Sequence, residues 1–358
     1  MSLQLSRTGE WFLHSGIQQP DGGVARYYLV DSRRNLPAST EITGYAASTF
    51  VYLHAVTGDR RYLDRAVSAA RFLICAWDSS SSTMPFEVDP AAFTYFFDCG
   101  IVVRGLLSVW RATGEPQYLD AAVATGDSMA RDFAGPLGDF HPILTVPSRT
   151  PLARDPLRWS RSASCYQLKS AMAWWDLYEA THDRRYIEPY ERVLEASLRS
   201  YGDFLPGHPE RLKVMDRLHA FCYFLEGLLP RAGDSQCAAA LRDGIGRCAW
   251  HLRDIAPEFE RSDVYAQLLR IRLYADWLGV EPLDCSAAEF EAAQLAAFQA
   301  DDSVPRNPGM NGGYWFGRKN GQPLPFINPV SAAFACQALQ LWETRRTGGA
   351  QVHRHLLI

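Results

Sequence analysis

A short phrase recurs along the chain at Thr57-Gly58-Asp59-Arg60-Arg61-Tyr62-Leu63-Asp64, at Thr113-Gly114-Glu115-Pro116-Gln117-Tyr118-Leu119-Asp120 and at Thr181-His182-Asp183-Arg184-Arg185-Tyr186-Ile187-Glu188. Fainter copies follow at Ala232-Gly233-Asp234-Ser235, Leu278-Gly279-Val280-Glu281-Pro282 and Thr347-Gly348. Each has a physical reading. Glycine closes one helix in the left-handed conformation, an acidic residue opens the next, and Tyr-Leu begins that helix's apolar stripe. Such a repeat restricts the chain to architectures stacked from helix pairs.

The stretches before the phrases are nearly free of charge: 42–56, 99–112, 165–180, 220–229, 264–278 and 329–342. Helices apolar on every side must be buried on every side. The stretches after the first five phrases are amphipathic, with Tyr62, Leu63, Ala66, Ala69, Ala70 and Leu73 set against Arg60, Asp64, Arg65 and Arg71 in the first. With an amphipathic helix near 3–17, six outer and six inner helices are expected, about 60 residues per pair in a chain of 358. The expected fold is all-α: a single (α/α)6 toroid over residues 1–358, an inner ring of parallel helices inside an outer ring.

Composition agrees with a packed globular chain, at 47% hydrophobic and 12% aromatic residues. Lys and Arg number 36 against 40 Asp and Glu, with no basic cluster, so nucleic acid is not the expected partner. No run approaches the roughly 18 apolar residues that cross a bilayer, so no membrane partner is expected. The eight cysteines are scattered without a CxxC pair and read as buried thiols. The start Met1-Ser2-Leu3-Gln4 lacks the apolar run of a signal peptide. Cytoplasm is the expected location, with secretion the alternative for a trimmed N-terminus.

The segments Ser39-Thr40-Glu41-Ile42-Thr43-Gly44-Tyr45, Phe97-Asp98-Cys99-Gly100 with Gly105-Leu106-Leu107, and His219-Ala220 with Glu226-Gly227-Leu228 resemble the six-hairpin toroid proteins of polysaccharide metabolism. The resemblance is closest to uronyl C5-epimerase-like domains, with unsaturated glucuronyl hydrolases and N-acylglucosamine 2-epimerases further off. It covers nearly the whole chain and is chiefly one of scaffold. It implies a carbohydrate-active enzyme: a glycoside hydrolase, lyase or epimerase acting on a uronate-containing or related poly- or oligosaccharide. Cys99 and His182 depart from the family pattern.

The connections locate the site independently of that resemblance. The phrases joining inner to outer helices are a few residues long, whereas the returns, over 18–40, 78–97, 134–163, 202–218, 253–262 and 301–327, are mostly long. The long loops therefore gather at one end, around the inner-helix N-termini, where scaffolds carry binding surfaces and where helix dipoles favour an anion. Glu41, Asp98, Ser164 with Tyr166, His219, Asp263 with Tyr265, and Asn328 fall at those starts. Ser164, Asp263 and Asn328 are also the residue types that cap helices.

Asp98 follows Phe93-Thr94-Tyr95-Phe96-Phe97, and apolar surroundings raise a carboxyl pKa into the range of a general acid. Glu41 begins the neighbouring inner helix, 57 residues earlier, and is the second acid/base candidate. His219 and Tyr166 complete the catalytic set. Their other readings are a capping box at Glu41, a satisfied core histidine and core packing of the tyrosine. Trp159, Tyr314, Trp315, Tyr265, Asn328 and Arg217 are the expected substrate-binding residues, the rings for stacking and the guanidinium for a carboxylate. The segment Asn311-Gly312-Gly313-Tyr314-Trp315-Phe316-Gly317 resembles a Gly-Gly-aromatic loop of the sugar-processing toroids, with a packed turn as its plain reading. No loop has phosphate-binding spacing, and no cofactor or metal is expected. A non-catalytic toroid that binds a glycan or partner at the mouth is one alternative. A zinc toroid drawing on Asp98, Cys99, His219 and Cys222 is a lesser one.

Overall fold

The computed structural model describes residues 3–136, 138–155, 157–301, 307–350 and 353–358. Part of the last return, 302–306, lies outside the described residues. Twelve α-helices alternate between two rings among the described residues. The outer helices are α1 (Leu3–His14), α3 (Arg60–Ala76), α5 (Pro116–Asp132), α7 (Ile187–Phe204), α9 (Ser235–Ile255) and α11 (Cys285–Ala296). The inner helices are α2 (Thr40–Thr57), α4 (Phe96–Thr113), α6 (Leu168–Thr181), α8 (Arg211–Gly227), α10 (Ser262–Trp277) and α12 (Pro329–Arg346). Each inner helix packs on the next, and α12 packs back on α2, which closes the ring. The fold is an (α/α)6 toroid. No described helix is long and apolar enough to cross a membrane.

The repeated phrases make the tight corners. Gly58 and Gly114 end α2 and α4 at φ 72° and 74°, and Asp59 accepts the Arg61 N–H to open α3. His182 holds the same left-handed position after α6 at φ 59°. The opposite end carries the long loops and short strands. Ala38–Ser39, Phe93–Tyr95, Glu260–Arg261 and Phe326–Ile327 each pair with another loop strand and run straight into an inner helix. They fix the first turns of α2, α4, α10 and α12.

One boundary differs from expectation. Helix α8 begins at Arg211, so His219 is its ninth residue rather than its first, and only residues 205–210 separate α7 from α8. The early turns of α8 carry Arg211, Lys213, Asp216 and Arg217 because they rise at the mouth, beyond the closed part of the ring.

Two close contacts set the geometry of the ring. Where α2 meets α4, a Cβ on Gly105 would lie 2.5 Å from the Gly44 carbonyl oxygen; where α4 meets α6, one on Gly100 would lie 2.5 Å from that of Ser170. Away from the mouth, Glu226 receives Lys169 at 2.7 Å and Arg270 at 2.5 Å, all fully buried. Lys169, Arg270, Arg104 and Gln337 also hold Leu356–Ile358, which fill that end of the ring.

Candidate active site

A cavity of about 360 Å³ opens at the mouth. Glu41 reaches it from the first turn of α2 and Asp98 from the first turn of α4. Neither caps its helix: Ser39 accepts the Ile42 N–H to cap α2, and the cap position of α4 is Tyr95. Both carboxyls are left to the cavity. Burial pushes Glu41 up to about 7. Burial raises Asp98 well above the ordinary range, and the negative charge of Glu41 raises it further. Asp98 Oδ2 is buried without a hydrogen-bond partner among the described residues. Both carboxyls are thus raised toward the range of acid/base work, and the Glu41 charge makes Asp98 hold its proton more tightly.

His219 enters from α8. Its Nδ1 lies 2.7 Å from Gln267 Oε1 and 3.3 Å from Asp263 Oδ2. Burial, opposed by the Asp263 charge, lowers its pKa to about 4, so the ring is neutral at physiological pH. A neutral imidazole that donates from Nδ1 to those oxygens has an unprotonated Nε2, the nitrogen a general base needs. Asp263 is held by Arg261 at 2.5 Å, and Arg261 also reaches Asp216 at 2.9 Å. Asp263 therefore ties down a guanidinium and an imidazole, a different job from the expected helix cap.

Aromatic rings make most of the wall. Trp159 meets Tyr166 edge-on at 5.0 Å, Tyr223 lies 4.6 Å from Phe97 and 4.4 Å from His219, and Tyr27 stands edge-on to Phe316 at 6.1 Å. Phe86 and Tyr95 complete it. Flat apolar faces beside a few polar groups suit the CH-rich faces and hydroxyls of a pyranose.

Of the expected residues, the cavity brings together Glu41, Asp98, His219, Tyr166 and Trp159. The other five lie elsewhere. Tyr314 is fully buried behind the loop. Tyr265 turns outward, donates its hydroxyl to Glu260 at 2.8 Å and packs on Phe290 and Phe298. Asn328 caps α12, accepting the Val330 N–H at 2.7 Å. Trp315 is off the cavity wall, its carbonyl accepting the Ser262 hydroxyl at 2.7 Å, and the next residue, Phe316, takes the wall position. Gly312 and Gly313 serve packing, since a Cβ there would meet the Arg7 carbonyl or the Trp11 ring. Arg217 lines a second cavity. The zinc set does not converge: Cys99 faces Thr94 and the Met84 carbonyl, while Cys222 faces Cys248 at 3.5 Å.

Sequence reasoning missed Tyr223, Arg261 and Phe316. Tyr223 follows His219 by four residues and so shares its helix face, a signal that was available. Arg261 stands just before the inner helix α10.

Comparisons with known proteins agree with this architecture. The catalytic-domain model of the GH127 β-L-arabinofuranosidase family matches residues 33–200, the stretch that carries Glu41 and Asp98. The cellobiose 2-epimerase of Spirochaeta thermophila superposes with a TM-score of 0.72 at 16% identity, covering 96% of this chain and 97% of that one. A GH76 α-mannanase of Bacteroides thetaiotaomicron superposes with a TM-score of 0.67 at 10% identity, covering 97% and 98%. A D-mannose isomerase gives 0.67 at 9% identity, covering 96% and 97%. No curated protein matches the chain in sequence. The chain resembles the six-hairpin toroids on which carbohydrate-active enzymes are built, and at these identities the superpositions establish its fold.

Proposed function

We propose that this protein, acting as one toroid over residues 1–358, is a carbohydrate-active enzyme that works by acid/base chemistry in the mouth cavity on a uronate-containing or related oligo- or polysaccharide. The observation that carries this reading is the carboxyl pair, Glu41 and Asp98, lining one cavity, with desolvation raising both and the Glu41 charge raising Asp98 further. In a hydrolytic reaction Asp98 gives its proton to the departing glycosidic oxygen. Glu41, as carboxylate, either attacks the anomeric carbon or takes a proton from the attacking water. Trp159 and Tyr166 supply stacking faces in the cavity that Asp98 lines, and the Tyr166 hydroxyl donates to the Ser160 carbonyl at 3.4 Å.

His219 favours a second reading, proton transfer at a ring carbon as in an epimerase or lyase. A neutral histidine with Nδ1 fixed is suited to remove a carbon-bound proton, with Asp98 or Tyr166 returning one. Proton NMR in D2O on a panel of neutral and uronate-containing oligosaccharides separates the two. New reducing-end anomeric signals mean hydrolysis, loss of a ring-proton signal means epimerisation, and new vinyl signals mean elimination. If no sugar in the panel changes, the enzyme reading fails and a glycan-binding toroid takes its place.

A further inference from the structure

A second cavity, of about 310 Å³, lies beside the first, and Trp159 and Ser160 line both. Its wall carries Arg158, His208, Lys213 and Arg217, with Asp216 as the carboxylate. Asp216 directs Oδ1 to Arg261 at 2.9 Å. Arg217 is only 8% exposed. Its Nε donates to the Phe204 carbonyl at 2.9 Å, and its guanidinium stacks on the Phe204 ring at 4.3 Å. Among the described residues its terminal nitrogens meet no carboxylate and make no hydrogen bond. A buried guanidinium without a counter-charge is costly, and one kept at a cavity wall has the form of a receptor for an anion.

The backbone is shaped around this group. Gly207 stands at φ 56°, and a Cβ there would lie 2.4 Å from Arg217 Nη2. Any side chain would strike the guanidinium. His208, the next residue, accepts the Glu210 N–H on Nδ1 at 3.0 Å, which leaves its Nε2 as the protonated, donating nitrogen. By contrast, the cation of the first cavity, Arg261, is already engaged by Asp263 and Asp216.

We infer that the second cavity is a subsite for an anionic substituent, a carboxylate or sulfate carried by the sugar next to the one that reacts, with Arg217 as its buried anchor and Lys213 and Arg158 as outer partners. The glycan crosses Trp159 from one cavity to the other. This rests on the proposed carbohydrate activity and narrows it: the reacting sugar is read by aromatic faces and the carboxyl pair, the charge by its neighbour's subsite.

The test measures binding of the full-length protein to uronate and sulfated oligosaccharides, each beside its carboxyl-reduced or desulfated form, at two salt concentrations. The expected result is at least about tenfold tighter binding of one charged form, weakened by salt. Whether carboxyl reduction or desulfation abolishes it identifies the anion. Arg217→Gln removes the preference, and the exposed pair Lys213→Gln and Arg158→Gln reduces it without threatening the fold. Equal binding of charged and uncharged forms, binding of neither, or a preference untouched by the exposed substitutions would overturn the subsite. Turnover on the same panel is scored separately. Turnover with no charge preference removes the subsite and keeps the enzyme, whereas charge preference without turnover removes the enzyme and keeps the subsite.

Discussion

Gly44 of α2 and Gly105 of α4 face each other so closely that a Cβ on Gly105 would stand 2.5 Å from the Gly44 carbonyl oxygen. This contact lets two inner helices approach backbone to backbone, and Glu41 and Asp98 stand in the first turns of those same two helices. The packing of the ring and the spacing of the carboxyl pair are one property.

Gly105→Ala should therefore do two things. Overpacking a contact of this kind costs roughly 1–3 kcal/mol, seen as a lower urea midpoint with an unchanged slope. The helices must also part at the mouth, so the titration of Asp98 should fall as the Glu41 charge moves away. A variant of unchanged stability would show that the two helices are not held at this distance.

The two carboxyls should respond unequally to each other's removal. Asp98 is raised by burial and by the Glu41 charge, whereas Glu41 is raised by burial. Carboxyl 13C NMR should show Glu41→Gln lowering the pKa of Asp98, while Asp98→Asn leaves Glu41 titrating near 7. A large fall for Glu41 in Asp98→Asn would mean that proton sharing, not burial, raises it.

Stability should carry the same signature. The folded-state pKa of Glu41 is raised, so the folded protein holds that proton more tightly than the unfolded chain. Its contribution is complete below the ordinary value of 4.5 and is lost as pH rises to about 7. His219 acts in the opposite sense: its lowered pKa removes stability as pH falls from 6.5 to about 4. The stability of the wild type relative to Glu41→Gln should thus decline between about pH 4.5 and 7, measured by urea denaturation at each pH. A difference that is flat with pH would contradict the burial of Glu41.

His182 occupies a left-handed position that glycine fills in the two earlier copies of the phrase. A non-glycine residue there costs about 1–2 kcal/mol, partly offset by the greater unfolded-state freedom of glycine. His182→Gly should stabilise the protein by about 0.5–1 kcal/mol, read as a higher urea midpoint. A loss of stability would show that the imidazole makes a compensating contact.

How far the sequence could be read followed from which signals are local. The helix-ending glycines and helix-opening acids of the repeated phrase are local, and the twelve-helix ring stands as they predict. Glu41 and Asp98 were legible because they sit beside the inner-helix starts. The boundary of α8 was not, because Lys213, Asp216 and Arg217 read as loop residues when they are charged turns of a helix exposed at the mouth. Tyr265, Tyr314 and Trp315 were misdirected for another reason: the facing of an aromatic ring depends on packing against α1 and α11, which no spacing in the sequence reports.

The most direct measurement compares turnover by the wild type, Asp98→Asn and Glu41→Gln on whichever sugar of the NMR panel reacts, with binding of that sugar followed in parallel. Both variants should lose activity by roughly 10²–10⁴-fold while still binding the sugar, and wild-type activity should rise with pH through about 7 as Glu41 ionises. Variants that turn over at the wild-type rate would contradict the assignment of acid/base chemistry to this pair.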